Sequence, residues 1–203
     1  MNRADEYDGQ YRYWLAQQGP GARSLEWRLG HLLWRHRVLL RRYPPAGKRV
    51  LDYGCMDGVF SFALAHAGGL VVGYDVAPAA IAQARAFQGG ARQPLFTLDA
   101  PTRGAFDLVF CCEVLEHIPD DRAFVGELVG YLAPGGTVVG TTPVGRSFWD
   151  PDHKRAYDEP TLRRALEPWG RVQVARYYRT ALRNLLPWNQ RGAAVFVFEV
   201  TPR

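Results

Sequence analysis

The sequence predicts an α/β fold: a seven-stranded, mostly parallel sheet with an antiparallel last strand and helices on both faces. Three observations carry this. Short apolar runs alternate with segments of helical periodicity from Arg49 to Leu166. A glycine-rich turn follows the first apolar run, where α/β sheets place their ligands. The last two runs are joined by Arg179 to Gly192 without a clear crossover helix, which suits an antiparallel pair at the sheet edge.

The elements follow in order. Asp5 to Leu15 is rich in aromatics (Tyr7, Tyr11, Tyr13, Trp14), and Gly19-Pro20-Gly21 breaks it off. From Ser24, a plausible N-cap, one helical stripe runs through Leu25, Leu29, Leu32, Leu33, His36 and Leu40 until Pro44-Pro45 stops it. Strands are expected at Arg49–Tyr53, Leu70–Tyr74, Leu95–Leu98, Phe106–Cys112, Thr137–Thr142, Val172–Tyr177 and Ala193–Val200. Helices are expected between them at Val59–Ala67, Ala79–Phe87, Arg122–Leu132 and Thr161–Leu166.

Composition sets the bounds. The 203 residues suit one domain, 1–203, with residues 1–46 forming an N-terminal arm and helix. The arm's aromatics suit either a lid over an acceptor site or ordinary packing. A net charge of +5 permits an anionic partner without requiring one, and nucleic-acid binders often carry denser basic clusters. Three cysteines, two of them adjacent, make no disulfide framework and suit a reducing compartment. The polar start shows no signal peptide, and no apolar run reaches the ~18 residues of a membrane span. A cytoplasmic protein is expected; nothing in the composition fixes its oligomeric state.

The chemistry starts at Val50-Leu51-Asp52-Tyr53-Gly54-Cys55-Met56-Asp57-Gly58, a strand-to-helix turn whose glycines let backbone approach a ligand. Alone it is a weak signal. The next strand ends in Asp75, where a carboxylate can accept both ribose hydroxyls of a nucleoside. The strand after that ends in Asp99, which could accept the exocyclic amine of adenine. Helix capping explains three such acids in succession poorly. A nicotinamide-binding turn would want Gly-x-Gly-x-x-Gly, which Met56 and Phe60 interrupt.

These residues resemble class I S-adenosylmethionine (SAM)-dependent methyltransferases. Leu51-Asp52-x-Gly54-Cys55-x-x-Gly58 is similar to their first motif, Gly73-x-Asp75-Val76 to their second, and Phe106 to Asp120 to their fourth. Leu132-x-Pro134-Gly135-Gly136 and Thr141-Thr142-Pro143 resemble the turn into strand five and its end. The resemblance covers roughly Lys48 to Trp169. It implies a Rossmann-like fold and a SAM site drawn from Asp52, Gly54, Cys55, Met56, Gly58, Phe60, Asp75, Val76, Asp99, Ala100, Cys112 and Glu113. Met56 departs from the family's usual glycine, which leaves room for a non-catalytic SAM-binding regulatory protein of the same fold.

Beyond strand four stands Glu113-x-x-Glu116-His117, a spacing that fits three side chains on one helical face. Three readings stay open. Glu113 lines the cofactor pocket while Glu116 and His117 are solvated; or His117 is a general base; or Glu113, Glu116 and His117 ligate a divalent metal (Mg, Mn, Fe or Zn), with His153 reaching the same rim. On the catalytic readings His117 and His153 are the reacting-site histidines. Glu-x-x-Glu-His with a later histidine is similar to the metal-using ubiquinone-biosynthesis O-methyltransferases. It is also similar to small-RNA 2′-O-methyltransferases, which carry a segment like Asp152-His153-Lys154. The resemblance implies O-methylation of a small-molecule hydroxyl, of a sugar or secondary metabolite, with metal-dependent RNA 2′-O-methylation as the alternative. Phe148 and Trp149 are candidates to line an acceptor pocket. Arg171, Arg176, Arg179, Arg183 and Arg191, interleaved with Tyr177, Tyr178 and Trp188, suit a solvated sheet edge better than a track for an anionic chain.

Overall fold

The computed structural model describes residues 3–17, 24–147, 152–179 and 194–203. Phe148, Trp149, Arg183, Trp188 and Arg191 lie outside the described residues. The elements are α1 (Arg3–Ala16), α2 (Leu25–Gly30), α3 (Trp34–Arg42), β1 (Arg49–Tyr53), α4 (Val59–His66), β2 (Leu70–Tyr74), α5 (Pro78–Gln88) and β3 (Leu95–Thr97). They continue with β4 (Phe106–Cys112), α6 (Asp121–Gly130), β5 (Leu132–Pro143), α7 (Glu159–Leu166), β6 (Arg171–Tyr178) and β7 (Ala194–Thr201). Strand order is β3-β2-β1-β4-β5-β7-β6 in a seven-stranded sheet. The β1–β2, β2–β3 and β4–β5 pairs are parallel, and β7 is antiparallel to both β5 and β6, as the sequence leads one to expect. The chain divides into two compact units, Met1–Thr102 and Arg103–Arg203.

In the first unit, Cys55, Phe62, Ile81, Ala84 and Phe96 form a buried cluster against which Leu25, Leu29 and Phe87 pack. Tyr7, Tyr11 and Trp14 pack with Ala77 and Ala80, so these α1 aromatics bury themselves on the start of α5, while Tyr13 faces solvent. Asp8 strengthens that seam by accepting the Ala79 N–H at 2.5 Å. Ser24 caps α2, its hydroxyl accepting the Trp27 N–H at 3.2 Å. The single helix expected from Ser24 to Leu40 is instead two. The chain leaves the helix at His31, whose ring stacks on Trp27 at 4.0 Å and whose Nδ1 lies 2.7 Å from the Trp27 carbonyl. Gly30, a poor helix former, ends α2.

In the second unit, every residue of β7 is buried or half-buried, and Phe110, Phe196, Phe198, Leu128, Leu162, Leu166 and Tyr157 are fully buried. Asp120 caps α6 through the Ala123 N–H at 3.0 Å. Asp158 and Thr161 close a reciprocal capping box on α7. β5 begins five residues earlier than the sequence pattern suggests, its Pro134-Gly135-Gly136 lying inside the strand, and its pairing with β4 shifts register between Phe106 and Leu108.

Candidate active site

In the first unit, the chain leaves β1 through three left-handed residues, Gly54 (φ 74°), Met56 (φ 49°) and Gly58 (φ 78°). A Cβ at Gly58 would stand 2.4 Å from the Phe96 ring, so this glycine is required by both conformation and space. Gly54 and Cys55 donate their N–H groups to the Tyr74 carbonyl at 2.8 and 3.0 Å, which clamps the turn to the end of β2.

There Asp75 accepts the Met56 N–H at 2.8 Å on one oxygen and the Ala77 N–H at 2.9 Å on the other. Burial raises its pKa while those backbone bonds oppose the rise. Each carboxylate oxygen keeps a lone pair for a ligand hydroxyl. Asp52, 2% exposed, accepts the Ser61 hydroxyl at 2.6 Å. Burial pushes its pKa up to about 7, against the Ser61 bond and with the help of the Asp75 charge.

Asp57 is equally buried, ion-paired with Arg28 and bonded by the Tyr11 hydroxyl at 3.2 Å. Burial and the Asp57 charge push the Tyr11 phenol up. Arg28 also sits 4.9 Å over the Trp14 ring, so α1 and α2 are both fastened to the turn. Burial, then Asp52, Asp75 and Asp57, raise the Cys55 thiol well above its ordinary value. With Asp57 neutralised by Arg28, the turn still carries the Asp52 and Asp75 carboxyls, an environment suited to a cationic ligand.

Val76 is half-buried beside Asp75, and Asp99 and Ala100 are exposed just past β3, with the Asp99 N–H on the Thr97 hydroxyl at 2.9 Å. Phe60 is buried and stacks on His36 at 4.2 Å, a packing role within the helices.

In the second unit, β4 ends at half-buried Cys112. Glu113 follows in the left-handed region (φ 56°) and donates its N–H to the Thr141 carbonyl at 2.9 Å. The sequence spacing placed Glu113, Glu116 and His117 on one helical face. The structure forms only a single 3-10 turn, Leu115–His117, and the left-handed Glu113 stands outside it.

What comes together is Glu116, His117 and His153, whose ligand atoms all lie within 4.8 Å of one another. Glu113 is not part of that group. The two imidazoles meet edge to face at 4.7 Å. Glu116 is 1% exposed, and the Thr142 hydroxyl donates to its Oε2 at 3.1 Å. The Lys154 N–H donates to the Glu116 carbonyl at 2.8 Å, which ties the residue after His153 to the residue before His117. Arg155 reinforces the segment, pairing with Asp121 and donating to the Pro119 carbonyl, while the Tyr157 hydroxyl donates to Asp121 at 2.7 Å. Burial alone would raise the Asp121 carboxyl; the bonds from Arg155 and Tyr157 hold it low instead.

The roles of Ser61, Asp57, Arg28, Tyr11 and Thr142 were not visible in the sequence motifs. Their partners are 9 to 46 residues away, and only topology joins them.

Residues 26–193 match the model of the methyltransferase domain family. The ubiquinone biosynthesis O-methyltransferase of Xanthomonas axonopodis pv. citri is 39% identical over 102 residues, covering 47% of this chain and 43% of that protein. The enzyme of the same name from Psychrobacter arcticus is 41% identical over 106 residues, covering 48% and 41%. The matched stretch thus spans under half the length of these relatives. Among solved structures, magnesium protoporphyrin IX methyltransferase from Synechocystis with bound SAM is similar at a TM-score of 0.61 and 20% identity, over 82% of this chain and 76% of that one. A SAM-dependent methyltransferase from Mesorhizobium loti is similar at 0.65 and 18% identity, over 87% and 98%. Family model and sheet order agree: the chain belongs to the methyltransferase domain family and has the class I methyltransferase fold.

Proposed function

We propose that the chain transfers a methyl group from SAM to a hydroxyl oxygen of a small molecule, with a divalent metal held by Glu116, His117 and His153. The observation that carries the reading is the convergence of that carboxylate and those two imidazoles within 4.8 Å. The O-methyltransferase relatives support it, as does the later histidine that the sequence placed on the same rim. SAM supplies a methyl group on a sulfonium, so the transfer needs a nucleophile and alignment.

Asp75 accepts the ribose hydroxyls on the lone pairs that Met56 and Ala77 leave open. Asp52 and Asp75 set a field suited to the cofactor's positive charge, and Asp99 takes the adenine amine. Gly54, Cys55 and Gly58 form the turn that lets backbone approach the cofactor, and the family resemblance adds Cys112 and Glu113 to the cofactor residues.

Glu116, His117 and His153 offer mixed oxygen and nitrogen donors that suit Mg²⁺, Mn²⁺, Fe²⁺ or Zn²⁺. The bound metal would lower the pKa of a coordinated hydroxyl and orient it. Three protein ligands leave positions open for an acceptor, and Glu113 is no longer needed as a fourth.

We read 1–203 as one catalytic domain. No helix among the described residues is long and apolar enough to cross a membrane. The three cysteines are thiols, which supports a reducing, cytoplasmic setting.

The test is turnover with a panel of hydroxylated acceptors and with short RNA, read by mass spectrometry, with and without chelator and with metal add-back. Glu116→Ala and His153→Ala should impair transfer alike, and chelation should mimic both. If only His117→Ala is severe and chelation changes nothing, His117 acts as a base and the metal reading falls.

A further inference from the structure

We infer that Thr142 is a positioning residue: its hydroxyl aims the Glu116 carboxylate at the metal. The inference rests on the metal reading above and adds a residue to it.

The geometry is specific. Thr142 stands next to last in β5, fully buried, with Gly140–Pro143 paired to β7 on one side and Thr141 paired to Cys112 of β4 on the other. A strand bonded on both edges is a stiff platform, and a β-branched side chain has few rotamers. Glu116 sits in one short 3-10 turn, a less regular support than a paired strand. Two bonds fix it. The Lys154 N–H holds its carbonyl, which sets the backbone, and the Thr142 hydroxyl at 3.1 Å holds Oε2, which sets the plane of the carboxylate. Partners behind a metal ligand restrict its orientation, and losing one commonly lowers metal affinity about 10- to 100-fold.

The neighbouring residue provides a control. Thr141 is just as buried, and among the described residues its hydroxyl has no hydrogen-bond partner. Its side chain alternates to the opposite face of the strand from Thr142. Thr141→Val and Thr142→Val therefore make the same chemical change one residue apart, and only the second removes a bond to Glu116.

The experiment measures Mn²⁺ and Zn²⁺ affinity by calorimetry on the full chain, with the Mn²⁺ electron paramagnetic resonance line shape and SAM affinity recorded in parallel. Thr142→Val should weaken metal binding about 10- to 100-fold and alter the Mn²⁺ spectrum while leaving SAM affinity intact. Thr142→Ser, which keeps the donor, should restore metal affinity, and Thr141→Val should match the parent. Equal metal affinity in Thr142→Val and the parent overturns the positioning role with the metal site intact. Failure of Thr142→Ser to restore affinity overturns it as well, because packing would then explain the loss. A parent chain that binds no metal refutes the metal reading itself and takes this inference with it.

Discussion

Replacing Asp52 with asparagine should stabilise the fold above neutral pH while weakening the cofactor site. Asp52 lies in the interior with one hydrogen bond from Ser61, and burial lifts its carboxyl from 3.8 to about 7. At about 1.4 kcal/mol per pKa unit, that rise corresponds to about 4 kcal/mol of cost for holding the ionised form. The sign follows from proton counting. Between about pH 4 and pH 7 the folded state keeps a proton that the unfolded chain has released, so stability falls as pH rises through that window. Asparagine keeps the shape and the oxygen that accepts the Ser61 hydroxyl, but its amide N–H groups need partners, at a cost of about 1–3 kcal/mol. The variant should therefore gain about 1–3 kcal/mol over the parent at about pH 8 and lose that advantage at about pH 4. Urea unfolding without cofactor at both pH values measures this. A difference between variant and parent that does not change with pH would refute the reasoning, because ionisation of Asp52 could then not be its source. In the same variant SAM should bind less tightly, since a cationic ligand loses a carboxylate.

Gly58→Ala should destabilise the chain by about 2–4 kcal/mol, since its Cβ meets the Phe96 ring at 2.4 Å in a left-handed backbone; thermal unfolding reads this. Arg28→Ala leaves the Asp57 carboxylate buried without its cation and should cost about 3 kcal/mol in urea unfolding, with Arg28→Ala/Asp57→Asn recovering much of it. Met56→Gly relieves a left-handed backbone in the free and the SAM-bound chain alike, so it should shift stability by at most about 1 kcal/mol in thermal unfolding and leave SAM affinity unchanged.

The layered fold was legible because its signals are local. Alternating apolar runs marked every strand, and the lack of a clear helical pattern in the sequence after β6 foretold the antiparallel β7. The break between α2 and α3 escaped because His31 makes it by stacking on Trp27, against a hydrophobic stripe that continues through both helices. Phe60, named among the cofactor residues, also stacks on His36, a partner 24 residues earlier that no local motif points to. Glu116, His117 and His153 were readable as a set because the residue types are rare and chemically matched. The exclusion of Glu113 was not, because periodicity assumes a continuous helix and a left-handed residue interrupts it. The Asp57 latch stayed hidden for another reason: a lone acid within a turn motif gives no hint of an arginine and a tyrosine reaching it from the preceding helices.

Calorimetric titration of the native chain with SAM and with its demethylated product tests the central claim most directly. The account predicts saturable binding of both, reduced by at least about tenfold in Asp75→Ala, which loses the bonds to both ribose hydroxyls. Absence of binding at millimolar ligand, or equal binding by Asp75→Ala, would contradict it.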